Sequence, residues 1–230
     1  MATDLGTVLV TGGSSGLGAA VATAVRQQGG SAVVLDRQPP KDPDIEFHCV
    51  DLLDGRSAEA ITRRLFASHP DLRAVVTAAG IDACGRLDQI APQDWERVVG
   101  VNLLGTAAVV RAAVPDLEAR RGRVVTVAST LGLRAVSDAS AYCASKFGVI
   151  GFTRAMAAEL AGRVGVTCLI PGGMQTAFFD DRSEQYKPGA DADLNDPCEV
   201  AAAVVFALSR PVGVEVRELL VCPAGETSWP

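Results

Sequence analysis

Short β-branched runs alternate with helical patterns along almost the whole chain of 230 residues. This alternation constrains the fold most, because strands separated by helices pair in parallel and carry helices on both faces of their sheet. The pattern predicts strands at residues 6–10, 31–35, 45–50, 72–77, 123–128, 164–170 and 216–221. It predicts helices at residues 17–28, 57–68, 92–119, 140–160 and 197–208. The predicted fold class is therefore α/β, a single doubly wound parallel sheet.

Composition and charge argue against several other classes of protein. The chain is 48% hydrophobic and has no Gly-, Ser- or Pro-rich linker, so residues 1–230 are predicted to form one domain. A net charge of -6 without a Lys/Arg cluster predicts no nucleic-acid partner. Six scattered Cys and two His lack paired or ligand spacing, which predicts reduced thiols and no metal site. The first residues lack a basic signal region, so we expect a cytoplasmic protein without a membrane segment.

A glycine-rich turn follows the first predicted strand and opens the first predicted helix. Gly12, Gly16 and Gly18 form G-x-x-x-G-x-G within the sequence TGGSSGLG. Without Cβ atoms, such a turn lets backbone N–H groups and the helix N-terminus approach an anionic diphosphate. Its place between a buried strand and a helix favours dinucleotide binding in a Rossmann-type sheet over a plain tight turn.

Asp36 ends the second predicted strand, about 20 residues beyond this turn. A carboxylate there can accept both ribose hydroxyls and repel a 2′-phosphate, which predicts NAD in preference to NADP. The alternative is a solvated strand-end Asp, and the neighbouring Arg37 could partly offset the repulsion. Asp51, at the next strand tip, could accept from the adenine amino group or cap a turn.

Tyr142 and Lys146 lie four residues apart on the predicted helix 140–160, which has Ser140 placed as its N-cap. An ammonium group beside a phenol favours the phenolate, so the pair suits acid/base chemistry on an alcohol/carbonyl couple. The alternative is a half-buried ring with a charged side chain reaching to solvent.

These motifs, in this order, resemble those of the short-chain dehydrogenases/reductases across essentially the whole chain. The matching pieces are TGGSSGLG at 11–18, Asp51-Leu52, AAG at 78–80, Asn102, Ser129, YCASK at 142–146 and PGGMQT at 171–176. The resemblance implies an NAD(P)-dependent oxidoreductase that acts on CH–OH donors and forms homodimers or homotetramers through two long helices. The small apolar faces near residues 107–113 and 147–155 fit such an interface, although burial within the monomer explains them too.

The resemblance also implies a role for each matching residue. Tyr142 is implied as the general acid/base, and Ser129 bonds the same substrate oxygen. Lys146 binds the nicotinamide ribose and lowers the pKa of Tyr142, while Asn102 holds a water that links Lys146 to solvent. The full set of cofactor contacts that the resemblance implies is Gly12, Ser14, Ser15, Gly16, Leu17, Gly18, Asp36, Arg37, Asp51, Leu52, Ala78, Ala79, Gly80, Tyr142, Lys146, Pro171, Gly172, Met174 and Thr176.

Two departures from the family pattern are visible. Thr77 stands where the family often has Asn, and its hydroxyl is expected to bond a neighbouring strand. The end of the chain reads VCPAGETSWP in place of the usual Asp-Gly-Gly.

The substrate pocket is expected to be mostly apolar. It would suit a medium-sized hydrophobic or hydroxyacyl-type alcohol or ketone, and its expected lining is Leu131, Leu133, Arg134, Val136, Met174, Phe178, Phe179 and Tyr186. Three alternatives stay open: an NADP-dependent ketoreductase of the same family, a dinucleotide-sensing binding protein without turnover, and a sugar-nucleotide epimerase or dehydratase.

Overall fold

Seven parallel strands form one sheet in the computed structural model of the protein, which describes residues 5–226. Their order across the sheet is β3-β2-β1-β4-β5-β6-β7. The strands are β1 (Thr7–Thr11), β2 (Ser31–Asp36), β3 (Glu46–Cys49), β4 (Leu72–Thr77), β5 (Arg123–Val127), β6 (Gly165–Pro171) and β7 (Glu218–Val221). Every pairing in this order is parallel, as the sequence predicts.

Six α-helices in the described part of the chain cover both faces of the sheet. They are α1 (Gly16–Gln27), α2 (Gly55–Ser68), α3 (Pro92–Val99), α4 (Thr106–Arg120), α5 (Ser140–Glu159) and α6 (Pro197–Leu208). In β1, Leu9 packs into the core under α2, α4 and α5, whereas Val8 and Val10 pack under α1 and α6. Neighbouring strand residues point to opposite faces, so each strand supplies both cores. The predicted doubly wound sheet is confirmed.

The predicted helix 92–119 is helical throughout, but it is not one regular α-helix. A π-helical turn at Gly100–Gly105 separates α3 from α4 and carries Asn102. Pro115 lies inside α4. By length and composition the run Pro92–Arg120 could cross a membrane, but 56% of its most apolar window is buried, and a buried core helix passes the same test.

The direction of the chain across the sheet reverses at β1. The chain runs from β1 outward to β2 and β3, and then returns to the other side of β1 to form β4. In open α/β sheets such a reversal leaves a crevice at the carboxyl ends of the strands, where ligands bind. The glycine-rich turn follows β1 at this point.

The N-cap predicted for α5 is wrong, although the helix begins at Ser140 as predicted. Ala139, not Ser140, is the N-cap of α5. The Ser140 hydroxyl instead accepts a hydrogen bond from the Trp95 indole N–H at 3.1 Å, which ties α3 to the start of α5.

Residues 172–196, between β6 and α6, lack long regular structure. They contain two short 3-10 turns, Ala177–Phe179 and Glu184–Tyr186. Their ends are held together by an isolated bridge between Met174 and Asn195. The segment therefore folds back over the carboxyl edge of the sheet.

Candidate active site

A cavity of about 900 Å³ lies along the carboxyl ends of the strands. It extends from the tips of β2 and β3, past the glycine-rich turn, to the N-terminal end of α5 and the segment that follows β6. All the cofactor contacts implied by the sequence line it except Ser14. Backbone and side chain of Ser14 instead bond the Asp36 carboxylate and the Gln38 carbonyl, so Ser14 braces the turn against the end of β2.

The glycines of the turn are required by close backbone approach. Gly12 has φ +68°, and a Cβ there would stand 2.6 Å from the Ala79 Cα. A Cβ on Gly18 would overlap the Gly12 carbonyl, so the turn and the first residues of α1 are in direct contact. Within the described residues no side chain caps the start of α1, whose N-cap is Ser15. The first amides of α1 therefore face the cavity as an anion-binding end.

Backbone amides hold the carboxylates of Asp36 and Asp51 in place at the ends of β2 and β3. Asp36 accepts from the Ser14 amide at 3.0 Å and from the Arg37 amide at 2.6 Å. Asp51 accepts from the Leu53 amide at 3.0 Å, the turn-capping role that the sequence left open. The Arg37 guanidinium lies 3.8 Å from the Asp51 carboxylate, which gives it a partner other than Asp36.

Tyr142, Ser129 and Lys146 meet at the middle of the cavity wall. Ser129 follows β5, and its hydroxyl hydrogen-bonds the Tyr142 hydroxyl and accepts from the Leu131 amide at 3.2 Å. Lys146 is 4% exposed, donates to the Val127 carbonyl at 2.9 Å and lies 5.5 Å from the centroid of the Tyr142 ring. The helical spacing of Tyr142 and Lys146 thus brings both groups to the end of β5.

Burial dominates the ionisation of this pair. Desolvation raises the pKa of Tyr142 to about 12, against the opposing hydrogen bond from Ser129. Desolvation also lowers the pKa of Lys146 to about 8. Burial therefore sets the direction of the Tyr142 pKa in this structure, and the expectation that Lys146 lowers that pKa stays a prediction. Each charged form loses its hydration in the buried site, which favours the neutral phenol and the neutral amine.

Asn102 links the π-helical turn to the loop after β4 and to α5. Its Oδ1 accepts from the Ile81 amide at 2.8 Å, and its Nδ2 donates to the Ile81 carbonyl at 2.9 Å and to the Ser145 hydroxyl at 3.0 Å. A Cβ on Gly80 would stand 3.6 Å from both Asn102 Oδ1 and Lys146 Nζ, so these atoms converge beside Gly80. Asn102 itself does not line the cavity.

The expectation for Thr77 is wrong. Its hydroxyl is buried and has no hydrogen-bond partner within residues 5–226. The neighbouring Thr11 hydroxyl accepts from the Ala79 amide at 3.3 Å instead, and Ala78 donates to the Thr11 carbonyl. The backbone after β4 is therefore held by β1 without help from Thr77.

The substrate end of the cavity is partly as predicted. Leu131, Met174, Phe178 and Phe179 line it. Arg134 and Val136 are exposed and do not line it, because the chain after Ser129 turns outward toward the start of α5. Leu133 packs against a core cluster, and Tyr186 hydrogen-bonds Asp138. These four lining predictions are wrong.

Sequence reasoning missed several charged residues at this end. Asp181, Arg182, Asp193 and Glu226 line the cavity, so its wall is more polar than predicted. A Cβ on Gly172 would overlap the Glu226 carboxylate, which shows how closely the unusual C-terminal stretch approaches β6. The rest of that stretch, residues 227–230, lies outside the described residues. No local pattern marks these residues, since only the folding of distant loops brings them together.

The described part of the chain contains neither a disulfide nor a cluster of metal-ligating side chains. All six Cys are free thiols. No group of three or more His, Cys, Asp or Glu side chains within residues 5–226 is arranged to hold a metal ion.

The sheet order, the glycine-rich turn at its reversal point and the cavity at its carboxyl edge define a Rossmann-type α/β protein. A family model for the short chain dehydrogenases matches residues 6–187. The chain belongs to the short-chain dehydrogenase family and is an oxidoreductase of that family.

Related proteins agree with this assignment. An uncharacterized oxidoreductase of Staphylococcus aureus is 28% identical, with 94% of this chain and 96% of the relative covered. L-fucose dehydrogenase of Mus musculus is also 28% identical, with 96% and 89% covered. A ligand-free aldohexose dehydrogenase of Thermoplasma acidophilum shares the fold, with a TM-score of 0.87, 24% identity and 96% and 95% coverage.

A further solved structure contains a nucleotide. It comes from Beutenbergia cavernae, is described as a candidate NAD(P) dependent gluconate 5-dehydrogenase, and has NADP bound at low occupancy. It is 29% identical to this chain, with a TM-score of 0.80 and 94% of each chain covered.

Proposed function

We propose that the protein transfers a hydride between a nicotinamide dinucleotide and a secondary alcohol or ketone. The observation that carries this proposal is the convergence of the Ser129 hydroxyl, the Tyr142 hydroxyl and the Lys146 ammonium on one wall of the 900 Å³ cavity. The same cavity begins at the glycine-rich turn, so one continuous space could hold both a dinucleotide and a small substrate.

The residues present fit a dinucleotide. The uncapped start of α1 suits a diphosphate, and the Asp36 carboxylate suits a ribose diol. Lys146, beside Gly80 and Asn102, would bond the second ribose, and Thr176 with Pro171 and Gly172 would border the nicotinamide. When bound, the nicotinamide supplies or accepts the hydride.

The chain itself handles the proton. Tyr142 gives its hydroxyl proton to the carbonyl oxygen during reduction and takes it back during oxidation. Ser129 donates to the same oxygen, where negative charge develops, and thereby lowers the barrier. Asn102 fixes the backbone at Ile81 and the position of Ser145, and a water near its Oδ1 could link Lys146 to solvent.

For the cofactor we propose NAD in preference to NADP. Asp36 lines the cavity at the tip of β2, and its negative charge would repel a 2′-phosphate, while Arg37 is engaged with Asp51. The NADP seen in a related structure makes a direct test necessary.

Replacing Asp36 with Ala should raise the ratio of NADPH to NADH affinity by about fivefold or more, since one unbalanced charge at this range is worth about 1 kcal/mol or more. Fluorescence titration of both nucleotides into wild type and Asp36→Ala measures this ratio, with Asp44→Ala as a matched control on the exposed loop before β3. A wild-type protein that prefers NADPH contradicts this account of Asp36.

The substrate is proposed to be a small molecule with several polar groups. Phe178 and Leu131 supply apolar wall, but Asp181, Arg182, Asp193 and Glu226 add hydrogen-bonding groups. Relatives named for L-fucose, aldohexoses and gluconate make polyhydroxylated sugars a natural part of the panel. Absorbance of NADH or NADPH, followed with a panel of sugars, hydroxy acids and hydrophobic ketones, tests the proposal.

The panel also separates the alternatives. A dinucleotide sensor would bind nucleotide and turn over nothing, whereas an epimerase would convert a sugar without net change in NADH absorbance. Turnover with a member of the panel supports the oxidoreductase, and its absence with tight nucleotide binding favours the sensor.

A further inference from the structure

A buried ion pair joins two loops above Tyr142. The Arg182 Nη2 lies 2.6 Å from the Asp82 Oδ2, and the two side chains are 18% and 4% exposed. Asp82 follows β4, and Arg182 lies in the segment after β6, 100 residues away. The sequence gives no sign of this pair, and the assigned roles of Ser129, Tyr142 and Lys146 do not use it.

The Asp82 carboxylate is fixed from its own loop. It also accepts from the Ala83 amide at 2.7 Å and from the Cys84 thiol at 3.3 Å. The Gly85 amide then donates to the Asp138 carbonyl at 2.8 Å, just before α5 begins. The negative charge therefore has a set position relative to the helix that carries Tyr142.

Arg182 is in turn the centre of its own segment. Its guanidinium lies over the Phe179 ring at 4.6 Å and the Phe178 ring at 5.3 Å, and Nη1 donates to the Tyr186 carbonyl at 3.2 Å. The Phe178 ring lies 5.7 Å from the Tyr142 ring. A chain of contacts thus runs from Asp82 through Arg182 and Phe178 to the catalytic candidate.

We propose that Asp82 and Arg182 are positioning residues, whose ion pair holds Phe178 against Tyr142 and whose opposite charges, kept together, cancel at the Tyr142 hydroxyl. This inference rests on the proposed function, because it concerns the residue that exchanges the proton.

The groups that face Tyr142 allow this balance. Ser129 faces it from the end of β5, Lys146 and Cys143 from α5, Asp82 from the loop after β4 and Arg182 from the segment after β6. Asp82 raises the pKa of Tyr142 and Arg182 lowers it, so the two act in opposite directions on the same hydroxyl.

Opposite shifts distinguish charge balance from simple loosening. Asp82→Asn leaves the positive charge alone near the phenol and should lower the pKa of Tyr142. Arg182→Met leaves the negative charge alone and should raise it. A loosened segment would instead admit water and lower the pKa in both variants, because hydration favours the phenolate. The expected shifts are about one pH unit each, the order of magnitude for one uncompensated charge near a partly buried group.

The chain has only two tyrosines, so the measurement is direct. Tyrosine labelled with carbon-13 at the ring carbon that bears the hydroxyl gives one NMR signal per residue, and Tyr186→Phe assigns them. The titration is compared at pH values at which circular dichroism shows every variant folded. The double variant Asp82→Asn/Arg182→Met should return to the wild-type position.

Three further variants complete the test. Arg182→Lys keeps the charge and should leave the pKa near that of wild type, while a weaker contact with Phe178 raises KM more than it changes kcat. Arg210→Met is the matched control, since the Arg210 guanidinium lies 4.1 Å from the centroid of the Phe206 ring, which belongs to α6. Arg182→Gln, which can still bond Asp82, replaces Arg182→Met if that variant does not fold.

Shifts in the same direction, or none, in the Asp82 and Arg182 variants overturn the proposal. Opposite shifts that cancel in the double variant support it. Failure of wild type to turn over any member of the substrate panel counts against the proposed function. The pKa of Tyr142 in each variant can still be measured in that case, so the two failures are distinguishable.

Discussion

Lys146 holds a charge in a place that disfavours it. Its side chain is 4% exposed, and its ammonium is satisfied by the Val127 carbonyl and the face of the Tyr142 ring. Desolvation accordingly lowers its pKa from 10.5 to about 8. A residue that lowers stability in this way is a candidate for function, because active sites commonly retain such groups.

We predict that Lys146→Met stabilises the fold at neutral pH. Between pH 8 and 10.5 the unfolded chain holds a proton at this position that the folded chain has released, so stability from Lys146 rises with pH through that window. The full penalty applies below pH 8 and amounts to about 1–3 kcal/mol, less whatever the Val127 carbonyl loses. The gain should therefore shrink toward pH 10.5.

Urea unfolding of wild type and Lys146→Met on both sides of pH 8 measures this gain. Lys41→Met, on an exposed residue, is the matched control and should show no such pH dependence. Parallel stability curves for wild type and Lys146→Met would argue against a depressed pKa at Lys146.

At this scale the sequence identifies residues but not their energetics. Tyr142 and Lys146 are readable because four residues make one helical turn, which is local. The raised pKa of Tyr142 depends on burial in the folded chain, which is tertiary. The hydrogen bonds of Asn102 and the lack of a partner for the Thr77 hydroxyl within the described residues cannot be predicted from the sequence for the same reason.

The turn between β1 and α1 can adopt its observed conformation only with glycine at two of its positions. Gly12 takes a positive φ, and the position of Gly18 allows α1 to begin in contact with the Gly12 carbonyl. A side chain at either position would push α1 away from the sheet. Close packing, as well as phosphate approach, therefore explains these glycines.

We predict that Gly18→Ala lowers the free energy of unfolding by about 1–3 kcal/mol and weakens nucleotide binding, because its methyl group would overlap the Gly12 carbonyl. Gly189→Ala is the matched control: no atom lies within 4 Å of its Cβ position. Thermal unfolding and nucleotide titration of the two variants compare them. Equal stability of both would mean that the turn relaxes freely.

Elements with strong local signals are predicted well. The strand 72–77 and the helix 197–208 have the predicted bounds, since a β-branched run defines one and Pro197 starts the other. The π-helical turn is missed because a single extra residue in a helix leaves the apolar period almost unchanged. The two short 3-10 turns within residues 177–186 are missed because contacts of Arg182 with two aromatic rings, not periodicity, organise them.

At the scale of the whole molecule, the apolar pattern serves two purposes. Val109, Val110 and Ala113 of α4 are buried within the chain, which accounts for most of the apolar face expected at an interface. Phe147 on α5 and Leu104 on the adjacent π-helical turn are 45% and 62% exposed. Phe147 is the large apolar side chain of that face that stays exposed to a second copy, and Leu104 adds exposed apolar surface outside the predicted ranges.

We predict that the protein forms a dimer or tetramer through this face, and that Phe147→Glu shifts it toward monomers, because a buried carboxylate would lose its hydration. Light scattering over a range of concentrations measures the mass. Leu87→Glu, at a loop residue that is 71% exposed, should leave the mass unchanged. A monomeric wild-type protein at every concentration would contradict this prediction.

The most direct test of the whole account is the turnover of Tyr142→Phe, which removes one hydroxyl and keeps the ring against Phe178. With the best substrate of the panel, we predict a loss of kcat of about 100-fold or more, the usual contribution of a positioned acid/base. Nucleotide affinity should stay within about twofold of wild type, since Lys146 and the glycine-rich turn remain. Undiminished turnover by Tyr142→Phe would contradict the central claim and require another residue to exchange the proton.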